Sequence, residues 1–206
     1  MNDRTAERVR REYDADAARY DERWAAYLRG SMELLRPWMV EAPPRTLLDV
    51  GCGTAVLLDF LRAWRVAPER YAGVDPSLAM LRRAAGRTGG LAAGAAEALP
   101  FRDGAFDTVV SASAFHYWPE PRAGLAEVRR VLAPGGRVLM VDWARDFLTM
   151  RAMNAALRVT RRAFVRMYAE GEVRGMMMEA GLRVARTRRA KIGPVWGLWA
   201  MEARGD

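Results

Sequence analysis

Between Thr46 and Trp143 short apolar runs of β type alternate with amphipathic stretches of helical period, and this alternation limits the fold more than any other feature. TLLDV (46–50) precedes a helical pattern near 54–65, YAGVD (71–75) precedes SLAMLRRAAGR, and GLAAG follows as a short third strand. FDTVVSAS (106–113) predicts a fourth strand and PRAGLAEVRRVLA a helix stopped by the Pro-Gly-Gly of 134–136. RVLMVDW (137–143) predicts a fifth strand. Units repeated in this order pair their strands in parallel through crossover helices, giving an α/β sandwich. The last third breaks the rhythm. Residues 147–168 read as a basic helix and 170–180 as another ending at Gly181. LRVARTRR and VWGLWAMEA then follow with only KIGP between them, a connection too short for parallel strands. The expected sheet is therefore seven-stranded and mostly parallel, with a C-terminal antiparallel hairpin.

A chain of 206 residues, 51% of them apolar, has enough material for one core. The expected division of that single domain (1–206) is a helical cap at 1–42, a ligand-binding core at 46–143, a helical lid at 144–169 and a helix plus hairpin at 170–206. In the cap, Tyr13, Tyr20 and Tyr27 recur at seven-residue spacing with Trp24 near the same face, and PPRT (43–46) ends the pattern. No run approaches the roughly 18 to 20 apolar residues of a membrane helix, and the N-terminus is charged where a leader peptide would be apolar. A soluble, cytoplasmic protein is expected. One cysteine and one histidine exclude an internal disulfide framework and argue against a bound transition metal.

The net charge of +8 is concentrated in one place: residues 151–191 hold eleven basic side chains and three acids, leaving the rest neutral. Such an excess suits an anionic substrate, an acidic lipid surface or nucleic acid, or is simply a solvated face.

The turn LLDVGCGTAVLL (47–58) leads from the first strand into its helix, where open parallel sheets bind ligands. Gly51 and Gly53 let backbone N–H groups approach a ligand closely. A dinucleotide fingerprint needs a third glycine where Val56 stands, and a phosphate loop needs a GK[ST] ending that is missing. Asp75, ending the second strand 22 residues past Gly53, is placed to accept from ribose hydroxyls, and an acid there disfavours a phosphorylated ribose. The turn is thus shaped for a nucleoside with a free ribose.

LLDVGCGT, GVDPS, AEALPF, FDTVVSASAFHYW and LAPGGRVLMVDW occur in the order and spacing of the class I S-adenosylmethionine-dependent methyltransferases. The chain resembles the small-molecule branch that includes the ubiquinone/menaquinone and malonyl-carrier-protein methyltransferases, over residues 11–143 in particular. The resemblance implies a Rossmann-like three-layer sandwich with S-adenosyl-L-methionine as cofactor and S-adenosyl-L-homocysteine as product. It implies that Gly51, Cys52 and Gly53 meet the methionine moiety, that Asp49 holds its ammonium and that Asp75 takes the ribose. Pro76 and Met80 would flank the adenine, the backbone of Ala96 and Glu97 would meet its edge, and the Ala112 carbonyl would face the ammonium. Ala55 and Ala95 depart from the family pattern, which often has Gly and Asp or Asn there.

His116, the only histidine, is the candidate general base by its ordinary pKa near 6.5. Tyr20, in the family-like ARYDE stretch, is the candidate for orienting the acceptor. Arg158, Arg161 and Arg162 suit a carboxylate or phosphate on a small-molecule substrate, or peripheral contact with an anionic membrane. SASAFHYW stands where base-amino methyltransferases carry Asn/Asp/Ser-Pro-Pro-aromatic, and no second cysteine exists for cytosine chemistry, so nucleic acid is disfavoured as a partner. Two further readings stay open: a non-catalytic cofactor-binding protein that keeps the fold, and an RNA O-methyltransferase or basic nucleic-acid-binding module. Oligomeric state has no signal in the sequence.

Overall fold

The computed structural model describes residues 7, 10, 11, 13, 14, 17–160 and 164–205. A 3₁₀ turn at Ala17–Arg19 leads into α1 (Tyr20–Glu41). There follow β1 (Thr46–Val50), α2 (Val56–Ala63), β2 (Arg70–Asp75), α3 (Leu78–Ala84), β3 (Leu91–Ala93), β4 (Phe106–Ala112), a 3₁₀ turn at Phe115–Tyr117 and α4 (Pro121–Val131). The chain ends with β5 (Leu132–Trp143), α5 (Leu148–Thr160), α6 (Glu170–Glu179), β6 (Leu182–Ile192) and β7 (Trp196–Gly205). The seven strands form one sheet in the order β3-β2-β1-β4-β5-β7-β6. All pairs from β3 to β5 are parallel, whereas β7 runs antiparallel to both β5 and β6. The mostly parallel sheet with its antiparallel C-terminal hairpin is the one expected from the sequence.

Because successive strand residues face opposite sides, the central strands feed two cores. Leu48, Val109, Val138 and Met140 pack with α4 and α6, while Leu47, Val110, Leu139 and Val141 pack with α1 and α2. Trp199 and Met201 of β7 join the first core, and Leu198 and Ala200 the second. The helices stop and start where the local chemistry allows. Ser77 Oγ accepts from Met80 N to cap α3, Pro121 opens α4, and Gly181 takes φ +73° just past α6.

Two predicted boundaries shift. β5 begins at Leu132 rather than Arg137, since Phe106 pairs with Leu132 before the register slips to Thr108 opposite Arg137; the Pro-Gly-Gly is a bulge inside the strand. The basic helix foreseen over 147–168 is described over Leu148–Thr160, and 164–168 is not helical. There the backbone has other partners: Met167 N donates to Asn154 Oδ1, Arg166 N to the His116 carbonyl, and Tyr168 bridges Ala144.

Buried Arg137 on β5 donates to the Trp38 and Ala42 carbonyls at the end of α1. That anchors α1 across the sheet and leaves its first turns, with Tyr20, Trp24 and Tyr27, over the C-terminal ends of the strands. The local basic excess is also answered from outside 151–191: Arg186 pairs with Glu41 and Glu202, and Arg189 with Asp146 as well as with Glu170 of the region itself. No helix among the described residues is long and apolar enough to cross a membrane.

Candidate functional site

Strand order reverses between β1 and β4, and the crevice beyond their C-terminal ends is where such sheets take ligands. Two adjoining cavities open there. The first is lined by the 49–57 turn, Val74–Ser77, Met80, Gly94–Glu97, Ala112–Ala114 and residues of the N-terminal segment. Every residue expected to contact a nucleoside cofactor (Asp49, Gly51, Cys52, Gly53, Asp75, Pro76, Met80, Ala96, Glu97 and Ala112) lies on its wall.

The turn has its shape for clear reasons. Gly51 has φ +75°, and a Cβ there would come within 2.4 Å of Ala114 Cβ. Gly53 has φ +52° and meets nothing within 4 Å where its side chain would be, so its backbone faces open space. Cys52 is buried, packed over Gly73, whose own Cβ would meet the sulfur at 2.8 Å. Burial pushes its thiol well above the ordinary range, consistent with a filler and not a nucleophile. Ala55, at the start of α2, is fully buried with φ 59° and ψ 31°, a left-handed conformation that glycine would adopt more easily.

The two acids are held by the backbone and by one hydroxyl. Asp75 accepts from Gly53 N and Ser77 N, both at 2.8 Å, and Asp49 accepts from Tyr71 OH at 2.7 Å. Burial is the main influence on both, raising Asp75 to about 6 and Asp49 to about 7. A ligand bringing hydroxyl or ammonium donors would restore their charged forms. The N-terminal segment is pinned across this cavity by carboxylates: Asp14 accepts from Ser77 Oγ at 2.6 Å, and Asp21 accepts from Thr54 Oγ1 at 2.6 Å and from Arg87 at 2.8 Å.

The second cavity, of about 530 Å³, is aromatic. Tyr20, Trp24, Tyr27, Tyr117, Trp143 and Trp196 line it, along with Met153 and Leu157 from α5. Tyr13, Tyr20, Ser113 and Tyr117 border both cavities and mark their junction. Ser113 stands just past β4 with φ 58°, strained for a residue with a side chain, and its Oγ is 2.7 Å from Tyr27 OH.

His116 borders the second cavity and is only 2% exposed. Its Nδ1 is 2.6 Å from Asp142 Oδ1, and Asp142 Oδ2 accepts from the His116 backbone N–H at 3.2 Å. The imidazole stacks on Trp143 with centroids 3.9 Å apart and planes 14° apart. Nε2 has no hydrogen-bond partner among the described residues.

Tyr20 and His116 are thus brought to one site. Arg158 is exposed on α5 and borders neither cavity, while Arg161 and Arg162 lie outside the described residues. Reasoning from sequence missed Asp142, Tyr71 and Trp196. Asp142 had a signal, an acid at the C-terminal end of a buried strand; Trp196 had none, since it reaches the site only through the hairpin.

Residues 48–140 match the methyltransferase domain family. A malonyl-[acyl-carrier protein] O-methyltransferase of Geobacter sulfurreducens is 32% identical over 195 residues, covering 85% of this chain and 70% of that protein. A demethylmenaquinone methyltransferase of Thermus thermophilus is 37% identical over 110 residues, half of each chain. Against other curated relatives the chain spans about half their length, for example 55% of the Escherichia coli protein YafE. A solved structure of Burkholderia thailandensis 1,6-didemethyltoxoflavin-N1-methyltransferase, with its substrate and S-adenosylhomocysteine bound, has the same fold. It aligns with a TM-score of 0.76 at 17% identity, over 100% of this chain and 91% of that one. The chain belongs to the class I S-adenosylmethionine-dependent methyltransferases.

Proposed function

We propose that this protein transfers the methyl group of S-adenosylmethionine to a small-molecule acceptor held in the aromatic cavity. The observation that carries the reading is the junction: a glycine-turn cavity with two buried carboxylates shares Ser113 and Tyr20 as a common wall with a second cavity that has its own imidazole. Bound in the first cavity, the cofactor supplies an electrophilic methyl on a sulfonium. The residues fit it. The open backbone at Gly51–Gly53 would receive the methionine portion, with Asp49 and the Ala112 carbonyl on its ammonium and Asp75 on the ribose. Pro76 and Met80 would hold the adenine, with the backbone of Ala96 and Glu97 at its edge. Segment 144–169 would act as a lid, since the inner face of α5 contributes Met153 and Leu157 to the acceptor cavity. Displacement at carbon needs alignment, dryness and, for most acceptors, removal of a proton. Tyr20 stands where alignment occurs, and His116 is the group suited to take the proton.

Calorimetric titration with S-adenosylmethionine, S-adenosylhomocysteine and NAD tests the first half. Micromolar binding of the first two and none of NAD is expected; no binding at millimolar cofactor rejects the reading, as would a non-catalytic protein that binds cofactor but never turns it over.

The outer face of α5 favours a lipidic source for the acceptor. Leu148 and Val159 are 79% and 87% exposed and share a stripe with Ala152 and Ala155, flanked by exposed Arg151 and Arg158. Apolar side chains between arginines suit an anionic bilayer surface. Sedimentation with phosphatidylglycerol vesicles, but not phosphatidylcholine vesicles, is the expected result, lost on Leu148→Ser with Val159→Ser; equal recovery with both vesicle types rejects it.

A further inference from the structure

We infer that the acceptor is a planar aromatic ring bearing an ionisable hydroxyl, that His116 Nε2 receives the hydroxyl proton, and that Asp142 is the residue positioning His116 for it. The inference rests on the transferase reading and names the chemistry that reading leaves open.

The shape of the cavity selects a ring. His116 stacks on Trp143, whose ring lies 5.2 Å from Trp196 at 29°, and Trp24 meets Trp196 edge-on at 5.7 Å and 71°. Walls of stacked and edge-on rings offer their best contacts to another flat ring. The polar groups inside are hydroxyls of Tyr13, Tyr20, Tyr27, Ser113 and Tyr117 and the His116 imidazole. Arg23 borders the cavity, and no carboxylate does among the described residues. An ammonium acceptor would therefore meet an incoming sulfonium with no carboxylate on the described cavity wall to receive it, whereas a neutral or anionic hydroxyl compound needs none.

The imidazole supplies the proton acceptor. With Nδ1 at 2.6 Å from Asp142, a carboxylate that also accepts from the backbone N–H groups of His116 and Trp143, the ring proton resides on Nδ1. Nε2 then carries a lone pair, and it is a buried acceptor with no donor. Such an atom calls for a partner, and a substrate hydroxyl is one. The neighbouring phenols are unsuited to the task, because burial raises Tyr13 and Tyr27 well above the ordinary phenol range and keeps them protonated. In the transfer, the aryl oxygen–methyl bond forms as the sulfur–methyl bond breaks. The electron pair of that bond stays on sulfur and the hydroxyl proton ends on Nε2, giving an aryl methyl ether, S-adenosylhomocysteine and an imidazolium.

The test needs no knowledge of the natural acceptor. The protein is first saturated with S-adenosylhomocysteine, and 4-nitrophenol is then added at a pH below its own pKa. Binding with the absorbance of the phenolate is expected, together with binding at least about tenfold tighter than that of 4-nitrobenzylamine, which carries a cation. His116→Gln should abolish the phenolate absorbance, and Asp142→Asn should reduce it about tenfold or more, while both variants keep S-adenosylhomocysteine affinity within about twofold. Nitrophenol that stays unbound or bound but protonated, tighter binding of the amine, or an unchanged spectrum in His116→Gln overturns the inference. If Asp142→Asn loses its fold, His116→Gln decides. Failure of S-adenosylhomocysteine itself to bind is a separate outcome that removes the transferase reading and this inference with it.

Discussion

The glycine-turn cavity, proposed for the cofactor, is walled by short turns at the ends of β1, β2 and β4, with exposed backbone groups and two aspartates. The aromatic cavity beside it, proposed for the acceptor, takes rings from residues as far apart as Tyr20 and Trp196, with a single imidazole dyad. A turn that must present N–H groups to a nucleoside has little chemical freedom, so its residues are contiguous and recognisable. A cavity that must fit one flat molecule can be assembled from any elements that converge there. The difference predicts that the two halves can be damaged separately. Asp75→Ala should weaken S-adenosylhomocysteine binding by about 2 kcal/mol, roughly thirtyfold, through loss of charged hydrogen bonds to ribose. Trp196→Ala should leave that affinity within about twofold and abolish binding of aromatic acceptors. Calorimetry on both variants checks this, and a Trp196→Ala protein with impaired cofactor binding would break the comparison.

Titration probes the glycine-turn half alone, since Asp49 and Asp75 both lie in it. Burial raises Asp75 to about 6 and Asp49 to about 7, so the free protein holds protons there that the unfolded chain has already released. Native-state proton binding in excess of the unfolded state means that stability falls as pH rises, here from about pH 4 to about pH 7. Cofactor affinity should move the opposite way, because ribose hydroxyls and an ammonium need the ionised carboxylates. Affinity should rise about tenfold or more between about pH 5 and pH 8. Calorimetry and thermal melts over that range read the two opposite slopes. Parallel slopes would mean that the aspartates do not face the ligand.

A smaller effect probes one support of that site. Tyr71 OH, donating to Asp49 at 2.7 Å, favours its charged form against burial. Tyr71→Phe should push Asp49 higher still and weaken cofactor binding a few-fold at neutral pH, by roughly 1 kcal/mol. The loss should shrink above about pH 8, where Asp49 is ionised in either protein; a loss independent of pH would assign Tyr71 a packing role only.

How much of this was legible in the sequence follows the same division. Short apolar runs alternating with helical patterns, and the KIGP turn, were enough for the sheet, because strands joined by crossover helices pair in parallel and a four-residue connection forces antiparallel pairing. Gly51, Gly53 and Asp75 were legible because backbone approach and ribose recognition admit few residue types. The non-helical course of 164–168 was not, since nothing local there forbids a helix; its backbone partners, Ala144, Asn154 and the His116 carbonyl, are brought in by tertiary structure. His116 could be singled out but its role could not, because Asp142 is 26 residues away, Trp143 meets it only across the sheet, and Trp196 reaches Trp143 only through the hairpin.

Ala55 is, with Ala95, a place where the readable half departs from the family pattern. It holds φ 59° with its side chain fully buried, in the turn where the family pattern has glycine. A left-handed alanine costs about 1–2 kcal/mol, and glycine returns about 0.5–1 kcal/mol of that through the greater freedom of the unfolded chain. Ala55→Gly should thus stabilise the protein by no more than about 1 kcal/mol, a rise in melting temperature of roughly 2–4 °C. Cofactor affinity should change by less than about twofold, because Gly53, two residues earlier, already leaves the approach open. Melting curves with and without S-adenosylhomocysteine separate the outcomes. A gain of similar size in both means that Ala55 is only strained, whereas a gain seen only with ligand means that its methyl group obstructs the cofactor and that the turn is less fit for its task than its motif suggests.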